Sequence, residues 1–125
     1  MSKIKKEYDC ALILTHDLIG GKWKLRILWH IMHGDNRFSV LERSISGITP
    51  KVLSMQLKEL EASGILKREV ITEGPPKVVM YYITEAFQTL IPVIEAIYAF
   101  SNGYANSKGV KIIQENIYEE PEECR

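Results

Sequence analysis

Apolar positions recur along this chain first at helical spacing, then at extended spacing, then at helical spacing again. Residues 11–19, Ala-Leu-Ile-Leu-Thr-His-Asp-Leu-Ile, read as a short apolar helix closed by Gly20-Gly21, where missing Cβ atoms let the chain turn. Trp23, Ile27 and Ile31, with Leu28 on the adjoining row, predict a second helix from about Lys22 to His33, stopped by Gly34. Asp35-Asn36 make a turn and Arg37-Phe38 a stub of strand. Ser39 with Glu42 has the spacing of a capping box, which starts a third helix running to about Ile45. After the tight turn Ser46-Gly47, Thr49 is placed to cap a fourth helix. Pro50 stands at its first position, where a missing N–H costs nothing. Leu53, Leu57 and Leu60 form its buried stripe, and Gly64 ends it.

From Ile65 to Thr72 and from Lys77 to Ile83 the residues are β-branched and aromatic, around a loop Glu73-Gly74-Pro75-Pro76: an antiparallel hairpin. Thr84, with Glu85 in the first turn, is placed to cap a last long helix, which Pro92 would kink and whose pattern weakens after Ser101. The fold class is α+β, mainly α: a winged helix-turn-helix with extra N-terminal and C-terminal helices. The expected organisation is an arm over residues 1–9, the winged domain over 10–101 and an extension over 102–125. Four glutamates and a proline in its last seven residues predict a disordered acidic end.

The third and fourth helices are joined by about three residues including a glycine, the connection that sets two helices at a steep angle so that the second projects. With the leucine stripe inward, the opposite face of the fourth helix carries Lys51, Met55 and Lys58, with Ser54 beside them. A major groove admits a helix, and its base edges offer acceptors to Lys and Ser and a methyl group to apolar side chains. Thr49, Pro50 and the N–H groups at this helix's start can meet a phosphate. Arg37, before the third helix, and Lys77, after the wing's prolines, are candidates for phosphate or minor-groove contact. The alternative for each lysine alone is the solvated face of an amphipathic helix.

Net charge is zero, but it is unevenly spread. Residues 1–83 hold 13 Lys and Arg against 9 Asp and Glu, and residues 84–125 hold 3 against 7. No apolar run approaches the roughly 18 residues of a membrane span, and Asp9, His16 and Asp17 interrupt any leader-like core, so the expected location is cytoplasmic with no membrane partner. The last helix carries Phe87, Leu90, Ile91, Ile94, Ile97 and Tyr98 on one stripe, and Val93, Ala96 and Phe100 elsewhere around it. Leu12, Ile13 and Leu14 give the first helix a similar excess. A helix apolar nearly all round needs cover nearly all round. A second copy of the chain, packed through Leu12, Ile13, Leu14, Val93, Ala96, Ile97 and Phe100, supplies it. The alternative is that both helices wrap the core of one protomer.

Cys10-x9-Gly20-Gly21-Lys22-Trp23-Lys24, Ile27-Leu28, Arg37-Phe38, Gly47-Ile48, Leu53-x3-Leu57-x2-Leu60-Glu61-x2-Gly64, Arg68, Pro75-Pro76 and Tyr82-Ile83-Thr84 together resemble the HxlR family of bacterial regulators, relatives of the MarR type, over roughly residues 8–101. The resemblance implies a homodimeric winged helix, dimerised through its terminal helices and bound to double-stranded operator DNA. It also implies that Cys10 stands where some members sense oxidants or electrophiles. Ala11 replaces the family's usual proline after that cysteine, and Gly74 a more usual apolar wing residue. Two routes to an effector stay open: chemistry at Cys10, or a small molecule bound between the dimer seam and the wing. Cys10 and Cys124 lack the spacing of a zinc site, and His16, His30 and His33 lack the remainder of a ligand set, so no metal or other cofactor is expected. With no nucleophile elbow, phosphate loop or HExxH pattern, no enzyme is expected either. The competing reading, from another class, is a winged-helix module for protein–protein interaction without DNA binding.

Overall fold

The structure, a computed structural model, describes residues 4–113. Its elements are α1 (Ala11–Ile19), α2 (Lys24–Met32), α3 (Phe38–Ser44), α4 (Pro50–Ala62), β1 (Leu66–Thr72), β2 (Val78–Ile83), a 3₁₀ turn (Glu85–Phe87) and α5 (Leu90–Lys108). This is the mainly helical winged helix-turn-helix that the apolar pattern predicts. Helices α2, α3 and α4 enclose a core of Ile27, Leu28, Leu41, Ile45, Leu53, Leu57 and Leu60, all 1% exposed or less. The hairpin closes one side through Leu66 and Tyr81, and α5 reaches the core through Ile94.

Local chemistry explains the best-defined element. Thr49 Oγ1 accepts from Val52 N at 3.2 Å, Pro50 opens α4, and Gly64, at φ +88°, ends it in a left-handed conformation that a side chain would strain. Gly47, at φ +84°, makes the turn between α3 and α4. In the hairpin Leu66 pairs with Ile83, Arg68 with Tyr81 and Val70 with Val79, with an irregularity between Val70 and Thr72.

Four local expectations are corrected. Helix α2 begins at Lys24, not Lys22, because Gly21 at φ +90° still belongs to the turn. The Ser39–Glu42 capping box does not form. Arg37 is held extended by a bridge to Met80, so α3 starts at Phe38 and Ser39 falls inside its first turn. Thr84 does not cap the long helix, because its hydroxyl donates to Gly64 O at 2.7 Å and ties the end of β2 to the end of α4. The chain then makes one 3₁₀ turn before α5 begins at Leu90. Helix α5 does not fade at Ser101: it continues through Gly103, buries Ala105 and ends at Lys108. Pro92 lies in its first turn, where its missing N–H has no helical partner to lose. The acidic end and Cys124 lie outside the described residues.

Candidate nucleic-acid interface

The leucine stripe of α4 faces the core, so the other side of the helix is turned to solvent. Lys51, Met55 and Lys58 are exposed along that side, with Met55 47% accessible, and Ser54 is half-buried at its edge. An exposed methionine can meet a thymine methyl group in a major groove. Thr49 and Pro50 stand exposed at the helix's start.

Between α4 and the wing lies a cleft of about 580 Å³. Arg37, Ser54, Lys58 and Lys77, drawn from three separate stretches of sequence, all line it. The fold therefore brings these predicted site residues to one surface, while Thr49, Pro50, Lys51 and Met55 lie outside the cleft on the helix that borders it. The apolar lining is Phe38, Val78 and Val79 with the ring of Tyr81. Arg68 lines it too, a residue absent from the predicted contact set. It sits opposite Tyr81 in the hairpin, where its positive charge favours ionisation of the phenol. That placement follows from strand register, which a one-residue slip would reverse. Burial, more than any charge, holds the Tyr81 phenol above its ordinary pKa of 10.0. Against these four cations the cleft carries one carboxylate, Glu61. Lys77 Nζ lies 3.9 Å from Glu73 Oε1, an exposed pair of little strength.

The terminal helices carry a second set of exposed side chains, these apolar. On α5, Val93 is 46% exposed, Ile97 37% and Phe100 73%, and with Pro92 and Ala96 they line a shallow apolar trough of about 470 Å³. On α1, Leu12 and Ile13 are exposed and Leu14 is half-buried. Tyr104, exposed one turn beyond Phe100, extends this face past the point where the sequence pattern weakens. Cys10 is exposed at the start of α1, where its Sγ accepts from Leu12 N at 3.4 Å. Nearby, Tyr8 donates to Asp17 Oδ2 at 2.7 Å and ties the N-terminal arm to α1.

Among the described residues no three His, Cys, Asp or Glu side chains gather as a metal site, and no helix is long and apolar enough to cross a membrane.

Comparison with known proteins agrees with this architecture. A family model described as HxlR-like helix-turn-helix matches residues 18–109. The HTH-type transcriptional regulator YkvN of Bacillus subtilis (strain 168) is 39% identical over 103 residues, covering 82% of this chain and 86% of that protein. The redox regulator HypR in its reduced form superposes with a TM-score of 0.73 at 34% identity, covering 82% of this chain and all of that one. The reduced transcriptional regulator YodB from B. subtilis superposes with a TM-score of 0.63 at 29% identity, over 77% of this chain and 93% of that one. The solvent-facing α4, the wing beside it and these matches agree: the chain belongs to the HxlR-like helix-turn-helix family and is a transcriptional regulator of the HTH type.

Proposed function

We propose that this regulator acts as a homodimer that binds double-stranded operator DNA, with α4 in the major groove. The observation that carries this reading is that Lys51, Met55 and Lys58 are exposed on the solvent side of α4 while Lys58 also lines the cleft with Arg37, Arg68 and Lys77. Lys51, Ser54, Met55 and Lys58 read base edges or adjoining phosphates, Thr49 and Pro50 set the helix start against the backbone, and Arg37 and Lys77 hold the flanking strand. The exposed apolar face of α5 with Leu12, Ile13 and Leu14 of α1 is the dimer seam. A two-fold pair then presents two α4 helices to half-sites about one DNA turn apart.

Regulation is proposed to enter through Cys10. Its sulfur is exposed and caps the first turn of a helix at that seam, so an oxidant or electrophile reaching it replaces the cap and disturbs the packing of α1. The similarity to the redox regulator HypR supports this reading. If it holds, Cys10→Ser abolishes release of DNA by diamide or methylglyoxal; unchanged release assigns the signal to a bound small molecule instead.

The DNA-binding reading is tested by gel-shift titration across salt concentrations. Each phosphate contact removed lowers the slope of log affinity against log salt by about 0.9, so Lys58→Ala and Lys51→Ala are each expected to lower it by up to that amount. A folded chain that retards no duplex at any salt would overturn the proposal and leave a protein–protein interaction module.

A further inference from the structure

The segment Gly21-Lys22-Trp23-Lys24 lies outside the proposed DNA surface, yet it grips the helix-turn-helix at two places. The first is the turn: the Trp23 ring lies beside Gly47, where an added Cβ would sit 3.9 Å from it, and Arg26 Nη2 donates to Ser46 O at 3.3 Å. Lys22 Nζ and Arg26 Cζ stand 4.8 and 5.0 Å from the Trp23 ring centroid, both within cation–π range. The second is α4 itself. Lys24, the first residue of α2, is 3% exposed, and its Nζ meets Glu59 Oε1 at 2.8 Å across 35 positions of sequence. The side chains of the pair are 4% and 17% accessible.

Such a pair is weak evidence for stability, because desolvating both charges offsets most of their attraction. What it supplies is direction. The stripe Leu53, Leu57 and Leu60 is apolar, and apolar contact is non-directional, so the stripe alone tolerates some rotation of α4 about its axis. A rotation of about 20° carries a side-chain tip, at a radius of about 5–6 Å, through about 2 Å, more than the whole range of hydrogen-bond distances. Glu59 lies four residues beyond Met55 and one beyond Lys58, so at about 100° per residue it stands about 40° from Met55 around the helix. An anchor there fixes the angle of the reading face directly.

We infer that the buried Lys24–Glu59 pair is a positioning device that sets the rotation of α4 and thereby the selectivity of DNA recognition, rather than a source of fold stability. The inference rests on the DNA-binding reading above. Neither residue touches DNA in it: both act through Met55, Lys58 and their neighbours.

The test uses the full chain and the double variant Lys24→Met/Glu59→Met, which removes both charges at similar volume and leaves neither stranded. The wild-type chain first selects a duplex from a randomised library about three helical turns long. Both proteins are then titrated with that duplex and with a shuffled duplex of equal length. The expected result is a thermal midpoint equal to wild type or higher, with affinity for the selected duplex down about 10–100-fold, the equivalent of one lost base contact. Affinity for the shuffled duplex stays unchanged, as does the salt slope, since a buried lysine releases no counterion. A double variant that keeps the wild-type ratio of the two affinities overturns the inference. So does one that weakens on both duplexes with a shallower salt slope, which would make Lys24 a phosphate ligand. Failure to fold also overturns it, because the pair would then be a stability element. A wild-type chain that selects no duplex sinks the DNA-binding reading first and this inference with it, and that result is distinguishable because it needs no variant.

Discussion

Phe100 is the sharpest probe of the proposed seam. Its ring is 73% exposed on α5 and belongs neither to the buried core nor to the residues packed against it. A phenylalanine offers about 200 Å² to burial. The exposed share is therefore about 150 Å², worth about 3–4 kcal/mol per copy if wholly covered, at about 25 cal/mol per Å². A two-fold interface holds the ring twice, so Phe100→Ala changes both copies at once. With half of each exposed area covered, the dimer loses about 3–4 kcal/mol, a rise of about 150–800-fold in its dissociation constant. Sedimentation velocity over a concentration series measures this directly. The protomer should stay folded, with an unaltered far-ultraviolet circular dichroism spectrum, because the ring lies outside the core cluster. A dissociation constant within about threefold of wild type, less than about 0.7 kcal/mol, would refute the placement of the seam. A wild-type chain that sediments as a monomer throughout would refute it more simply.

Two further outcomes follow from the same surfaces and core. Leu57, 1% exposed in the stripe that holds α4, should cost about 2–5 kcal/mol on conversion to Ala, read as a lower urea midpoint at unchanged slope; a loss under about 1 kcal/mol would mean that α4 is not seated on the core as described. Tyr81 holds its proton more tightly folded than unfolded, so its contribution to stability is complete below the ordinary value of 10.0 and is lost as pH climbs from there through the raised folded value. Tyr81→Phe should flatten the alkaline fall in stability, measured by chemical denaturation at a series of pH values, and an unchanged fall would place its cause elsewhere.

What could be read in advance divides by the range of the interactions involved. Helix α4 was legible almost to the residue, because Thr49, Pro50 and Gly64 act on their own backbone neighbours and the leucine spacing needs no partner to be recognised. The exposure of Val93, Ile97 and Phe100 was legible too, since a helix apolar around most of its circumference has more apolar surface than one small core can cover. Ser39 and Thr84 misled for a common reason. Each has the chemistry of a cap, but Arg37 is taken up by Met80 of β2 and Thr84 by the carbonyl of Gly64, so the helices start elsewhere. A tertiary partner outbid a local one in both places.

The sequence by itself determined the element order, the wing, the outward face of α4 and the surplus of apolar surface on the terminal helices, because periodicity and capping act within a few residues. Only the tertiary structure decided that Arg37, Lys58, Arg68 and Lys77 share one cleft, and that Lys24 is buried against Glu59 rather than exposed beside Lys22. Charges far apart along a chain carry no mark of which will meet. That is settled when the core packs and the strand register locks, and both depend on the whole chain at once.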